Sequence, residues 1–265
     1  MTRRAGTIAA LVLLAATCLA GAAQAADLKA LVSGALKLAL PDMIAAFEKS
    51  SGDRVTVVYG PGGAVVKSIA DGDVADVAIA PSDLMEKLAA QGKIVAGSTV
   101  GIARVTIGIA IRKGAPKPDI ATVDALKKTL LAAKSIGYRD PKTGSNSGVY
   151  TAQLIERLGL AAALKSKTLL DNSDGEHPEN VFKALERGET DLQFGAITEI
   201  VMAPGVELLG PLPDEVQKVT LLTAGIPTTS KSPDAAKALI GFLAGPSAAA
   251  TLKANGFQPA GSYGK

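Results

Sequence analysis

The sequence predicts an α/β protein of two lobes, each a mixed, mostly parallel sheet with helices on both faces, joined by two hinge crossings. Three observations predict it. Beyond the first 25 residues, short β-branched runs alternate with longer helical patterns, the rhythm of strands joined by crossover helices. That rhythm is broken twice, at Lys113-Gly114-Ala115-Pro116-Lys117-Pro118 and at Gly210-Pro211-Leu212-Pro213, where the chain can cross between lobes. Tryptophan is absent and aromatics make up 3%, so Ala, Val, Ile and Leu must form the core. A single doubly wound domain is the alternative that this pattern leaves open.

The first 25 residues read as a secretory signal. Arg3 and Arg4 precede an apolar stretch over 8–20, and Ala23-Gln24-Ala25 offers small residues at the two positions a signal peptidase reads. The apolar stretch is short for a span, which needs about 20 residues. Cleavage after Ala25 would remove Cys18, the only cysteine, and with it any disulfide or thiolate site. Arg3 and Arg4 account for two of the net +3, so the remainder carries +1 and shows no basic stripe for nucleic acid. Roughly 240 residues remain, enough for two domains of modest size.

In order, the first lobe opens with a strand over 28–32, a helix over 36–49 with Leu40, Ile44 and Phe47 at helical spacing, and a strand over 55–59. A helix over 64–71, a strand over 74–80, a helix over 84–91 and an unbroken apolar strand over 105–112 follow. The second lobe has a helix over 122–131 with Thr122 as its cap. A strand over 135–138 follows, then helices over 149–158 and 179–187 stopped by Gly159 and Gly188, and a strand over 192–197. The return strand over 219–224 leads to helices over 233–243 and 247–255. The expected first lobe is therefore 26–113 with 219–265, and the second is 114–218.

Three Gly- or Ser-rich loops each follow a strand and open a helix: Ser33-Gly34-Ala35, Gly60-Pro61-Gly62-Gly63 after Tyr59, and Thr143-Gly144-Ser145-Asn146-Ser147-Gly148. Ser82 stands in a similar place ahead of its helix. Such loops gather at the carboxyl ends of the strands, where unpaired N–H groups and the helix dipole favour an anion. Arg104 and Arg139 are the cations placed to fork onto an oxyanion; each could equally form a surface salt bridge. The glycine run fits neither nucleotide signature: the phosphate-loop positions for Gly and Lys hold Val65 and Val66. His177 is the only histidine, and it stands in a polar run that lacks the spacing of a calcium loop. With one histidine and no cysteine after cleavage, no nucleophile with a positioned base can be assembled, so an enzyme is not expected. No metal and no cofactor are expected.

Several stretches resemble the periplasmic molybdate-binding proteins of ABC transporters, within the type II solute-binding fold. They are Val32-Ser33-Gly34-Ala35-Leu36-Lys37, the stretch 47–88 with Ile69-Ala70-Asp71-Gly72-Asp73-Val74-Ala75-Asp76-Val77, and Asp140-Pro141 with the helix that follows. Ala184-Leu185-Glu186-Arg187-Gly188-Glu189-Thr190-Asp191, Ser232-Pro233-Asp234-Ala235-Ala236-Lys237-Ala238 and Gly256-Phe257-Gln258-Pro259 complete the set. The resemblance implies a monomeric periplasmic protein. It would close two lobes on a small anion and present it to a permease. It places Thr198, with Glu199 after it, at the family's last ligand segment. Where the family carries serine, serine and tyrosine, this chain has Ala35, Pro61 or Gly62, and Ala196. A small organic carboxylate held by Arg139 or Arg104 is therefore the alternative to molybdate or tungstate, and service to a sensor rather than a transporter is the alternative role.

Overall fold

The computed structural model describes residues 25–143, 145–172 and 181–260; the expected signal segment and His177 lie outside the described residues. The spine of the fold is the long strand β4 (Val100–Arg112). Its first part pairs antiparallel with β9 (Val219–Gly225), from Val100 to Thr106. Its second part pairs antiparallel with β7 (Leu192–Ala196) and β8 (Val206–Pro211), from Ile107 onward. On the first side, β2 (Arg54–Gly60), β1 (Asp27–Ser33) and β3 (Val77–Pro81) run parallel and reach β4 through β9. On the second side, β5 (Ile136–Arg139) and β6 (Thr168–Asp171) extend in parallel from β7. The short β10 (Gln258–Pro259) brings the C-terminal segment back onto Ala103 and Arg104.

The cores divide where the pairing does. Ile102 and Ala103 pack with Leu28, Leu36, Leu40 and Leu239, whereas Ile107, Ile109 and Ile111 pack with Leu126, Ile136 and Leu154. An apolar run buried on both faces is what lets one strand serve two cores. This change of partner comes ahead of the sequence break at 113–118. It falls between Thr106 and Ile107, inside the strand, and residues 107–112 pack with the second side rather than the first.

Helix α1 (Leu40–Ser51) buries Leu40, Met43, Ile44 and Phe47, with Pro41 in its first turn where a missing N–H costs nothing. Its start corrects the expected helix over 36–49: Gly34–Leu36 form only a 3-10 turn. Helices α2 (Gly62–Asp71) and α3 (Ser82–Ala90) follow β2 and β3. In α4 (Val123–Ala132), Thr122 accepts from the Ala125 N–H at 3.1 Å, as its cap position requires. Helices α5 (Asn146–Arg157) and α6 (Ala161–Leu164) follow, then α7 (Lys183–Glu186), where the expected helix over 179–187 is, among its described residues, a single turn of helix flanked by turns. Gly159 and Gly188 both take left-handed backbones (φ 72° and 75°), the stops expected of them. A turn of helix, α8 (Ile197–Ile200), leaves the end of β7. Two C-terminal helices, α9 (Pro233–Ala244) and α10 (Pro246–Ala254), close on the first core; Phe242 meets Phe47 edge-on at 5.6 Å.

The second crossing, 212–218, is tied to the first by one side chain. Gln217 Oε1 accepts from the Ile107 N–H at 2.9 Å, and its Nε2 donates to the carbonyls of Ile107 and Leu212 at 3.0 and 3.2 Å. Leu212 N–H also donates to the Ile107 carbonyl. Gln217 therefore clasps β4 at the residue where it changes sheets. Gln217→Ala leaves these groups short of partners. It is expected to lower stability by about 1–3 kcal/mol, read as a lower urea midpoint at unchanged slope.

Candidate functional site

Strand register brings the candidate residues together. Pro81, the last residue of β3, is level with Leu222 of β9, which is level with Ala103 of β4. Arg104 thus stands one residue beyond the carboxyl end of the first sheet. Ser33 and Gly60, the last residues of β1 and β2, are register partners, and an added Cβ on Gly34 would lie 3.8 Å from the Gly60 carbonyl. On the second side, Ala196 at the end of β7 is level with Ile107 of β4. Gly137 of β5 is level with Gln193 of β7, so Arg139 also reaches the carboxyl end of its sheet. The two sets of strand ends therefore face each other along β4 from Arg104 to Ile107, three residues or roughly 10 Å at strand rise. Both sheets direct their strand-to-helix loops into that gap, where α/β proteins hold ligands.

The first wall holds Ser33, which is buried, exposed Gly34 and Ala35, the loop Gly60 to Gly63, Ser82 and Arg104. Its helix-terminus donors are narrower than the sequence suggested. Because α1 starts only at Leu40, the Ser33-Gly34-Ala35 loop opens no helix of useful length. Gly62 and Gly63 do open α2, and their close approach to β3 requires glycine: an added Cβ on Gly62 would sit 2.8 Å from Pro81 Cδ. Tyr59 packs its ring against the first core, and burial raises its pKa above that of a free phenol. It stands in the wall as support.

The second wall is built on Arg139, 7% exposed at the end of β5. Its Nη1 lies 3.8 Å from Oε1 of Glu199, the third residue of α8. Burial raises the pKa of Glu199; Arg139 and the Ala196 amide oppose that shift, and Asp171 adds to it. Thr198 beside it is buried. Ser145 and Ser147 share a hydrogen bond at 3.0 Å at the mouth of α5. Thr143 spends its hydroxyl hydrogen on the Asp140 carbonyl at 2.7 Å, leaving only acceptor capacity. Gly148 presses on the backbone of Arg139, where an added Cβ would fall 2.2 Å from the carbonyl oxygen. Gly148→Ala must push α5 off β5 and is expected to weaken ligand affinity about tenfold or more, since small misplacements of positioning groups cost that much; calorimetric titration reads it.

Glu199 is the group that residue-level reading passed over, because its contact with Arg139 joins positions 60 residues apart in sequence. Among the described residues, no group of three or more His, Cys, Asp or Glu is placed to hold a metal. Two surface grooves of about 610 and 760 Å³ lie on the second side, against Leu209–Glu215 and around Arg112 and Arg187. Neither includes any of the candidate residues.

A two-sheet body hinged on β4, with facing loops and a buried cation, is the form of a ligand trap. The family of bacterial extracellular solute-binding proteins matches residues 28–258. The chain belongs to that family. This solute-binding protein is 32% identical over 253 residues to a protein from Pseudomonas sp named Aconitate isomerase, covering 93% of each chain. It is 31% identical over 254 residues to the molybdate-binding protein of Azotobacter vinelandii, covering 93% of this chain and 95% of that one. Its fold matches the substrate-binding domain assigned to a molybdenum ABC transporter from Clostridium difficile, with a TM-score of 0.77 and 18% identity. That match covers 88% of this chain and 99% of the other. The solved structure of the Azotobacter vinelandii periplasmic molybdate-binding protein matches with a TM-score of 0.63 and 22% identity, over 87% of this chain and 98% of that one. The expected type II architecture is thus the observed one.

Proposed function

We propose that this solute-binding protein works in the periplasm after loss of residues 1–25. There it captures a small organic carboxylate between its lobes, as a monomer, and presents it to the permease of an ABC importer. One observation carries the reading: a buried guanidinium, Arg139, stands at the carboxyl end of its sheet, 3.8 Å from the Glu199 carboxyl. Ala35, Gly62 and Ala196, meanwhile, supply no hydroxyl where molybdate binders carry one. A planar fork suits a planar carboxylate. In this reading the lobes are 26–106 with 219–265, and 107–218. They swing about Thr106–Ile107 and the 212–218 segment. The relative named for aconitate supports a carboxylate, while the molybdate-binding relative keeps the tetrahedral oxyanion as the competitor. Calorimetric titration with citrate, malate, succinate, molybdate and sulfate decides between them. Carboxylate binding without molybdate binding supports the proposal, and the reverse overturns it.

In this reading the protein holds its ligand unchanged. A second reading is favoured by Glu199. A carboxyl whose charged form is disfavoured, beside a carboxylate-binding cation, can take a proton from one carbon of an unsaturated acid and return it to another. Incubation with trans-aconitate, followed by proton NMR, tests it; appearance of the cis isomer, lost in Glu199→Gln, would establish the enzyme.

A further inference from the structure

We infer that Glu199 is the specificity-determining residue of the site, selecting carboxylates that present a hydrogen-bond donor, a hydroxyl or a protonated carboxyl, beside the group held by Arg139. The inference rests on the carboxylate reading above and adds to it which carboxylates are kept.

Arg139 and Glu199 stand 3.8 Å apart, close enough for attraction and too far for a hydrogen bond. Glu199 Oε2 is buried and makes no hydrogen bond. A buried acceptor without a donor is costly, so the oxygen is satisfied most cheaply by something that enters the site. The charged groups that bear on this carboxyl are Arg139 from β5 and Asp171 from β6, with the Ala196 amide from β7. Arg104 stands on the first wall, on β4 level with Leu221 of β9. From the described part of the C-terminal segment the Gly256 backbone approaches: an added Cβ there would lie 3.2 Å from the Ile197 carbonyl oxygen and from Thr198 Cα. Asp171 brings further negative charge, and among the described residues the cation that bears on this carboxyl, Arg139, is the one the ligand itself would engage.

An anion with acceptors only would bring its oxygens against Glu199 Oε2 with nothing to share between them. A hydroxy acid brings its own hydrogen. A fully ionised acid without a hydroxyl must first take a proton from solvent, either on itself or on Glu199, whose ionisation burial already disfavours. Tetrahedral dianions such as sulfate and molybdate are turned away by the same oxygen.

Matched pairs test this: citrate against tricarballylate, and malate against succinate, each differing by one hydroxyl. In the wild-type protein at neutral pH, the hydroxy acid of the better-binding pair is expected to bind about tenfold more tightly or better, the change one unsatisfied buried acceptor brings. Titration in buffers of different ionisation enthalpy is expected to show proton uptake with tricarballylate or succinate and none with citrate or malate. This second measurement needs no variant. In Glu199→Gln the amide donates as well as accepts, so the preference is expected to collapse, chiefly through tighter binding of the acid lacking the hydroxyl. Binding of both members of a pair with equal affinity and no proton uptake overturns the inference while leaving the carboxylate reading standing. Binding of neither pair overturns that reading, and the inference with it.

Discussion

Arg139→Met is expected to abolish carboxylate capture while leaving a folded protein. Arg139 is the cation of the second wall, and it is placed by three independent features: the end of β5, the close backbone of Gly148 and the carboxyl of Glu199. A guanidinium holds a carboxylate through paired charge-assisted hydrogen bonds worth about 1.5–3 kcal/mol each. Losing both lowers affinity on the order of a hundredfold or more. Methionine keeps much of the stem's volume, so the pocket left behind is small. Glu199 loses its counter-charge, but a carboxyl already held toward its neutral form can take up a proton and avoid an unpaired buried charge. Circular dichroism is therefore expected to match wild type, and titration with citrate or malate to give no heat. Arg139→Lys is expected to recover only part of the affinity, because an ammonium offers no planar fork. Wild-type affinity in the methionine variant would move the ligand to the Arg104 wall.

How much of this was legible in the sequence depends on whether a signal is local. Helix stops were legible at Gly159 and Gly188, because a left-handed residue after a helix is a property of that residue. So was the Thr122 cap. Strand β6 was missed because it is a short edge: Leu169 and Leu170 are 43% and 39% exposed, so it shows neither alternation nor an apolar run. Strand β8 was hidden by its ending, Gly210-Pro211, which reads as a break. It survives because β8 pairs with β4 alone, so Pro211 can end the strand there without stopping a central ladder. The point where β4 changes sheets was hidden for another reason. Val105 to Arg112 is one apolar run, and nothing within it marks that Thr106 pairs with β9 and Ile107 with β7. The candidate arginines were legible as residue types at strand ends. That the two sets of strand ends stand only three residues apart along β4, and that Glu199 approaches Arg139, follow from pairing between distant strands. No window of sequence contains that.

The largest expected loss of stability lies away from the cleft, at Asp76, 5% exposed. Its Oδ2 accepts from the Lys29 N–H at 2.9 Å. Its Oδ1 accepts from the Ser230 hydroxyl at 2.8 Å and from the N–H groups of Lys231 and Ser232 at 3.0 and 3.2 Å. The Asp76 N–H returns a bond to the Lys29 carbonyl. One carboxylate thus fastens β1, the approach to β3 and the loop that starts α9, three segments far apart in the chain. Burial alone would raise its pKa, but these four donors overcome that, and the carboxyl lies below the usual range. Asp76→Ala strands all four donors and is expected to cost about 3–5 kcal/mol, roughly a 10 °C fall in melting temperature for a chain of this size. The pH dependence follows from the direction of the shift. Because the folded-state pKa is depressed, the carboxylate's contribution is complete above the unfolded value near 4. It is lost as pH falls through the lower folded value. The gap between wild type and Asp76→Ala in urea unfolding should therefore be widest at neutral pH and shrink as the solution is acidified below about pH 4. Asp76→Asn keeps one acceptor and is expected to fall between the two, without that pH dependence. Equal stability of wild type and Asp76→Ala at neutral pH would mean that the three segments are held by packing alone.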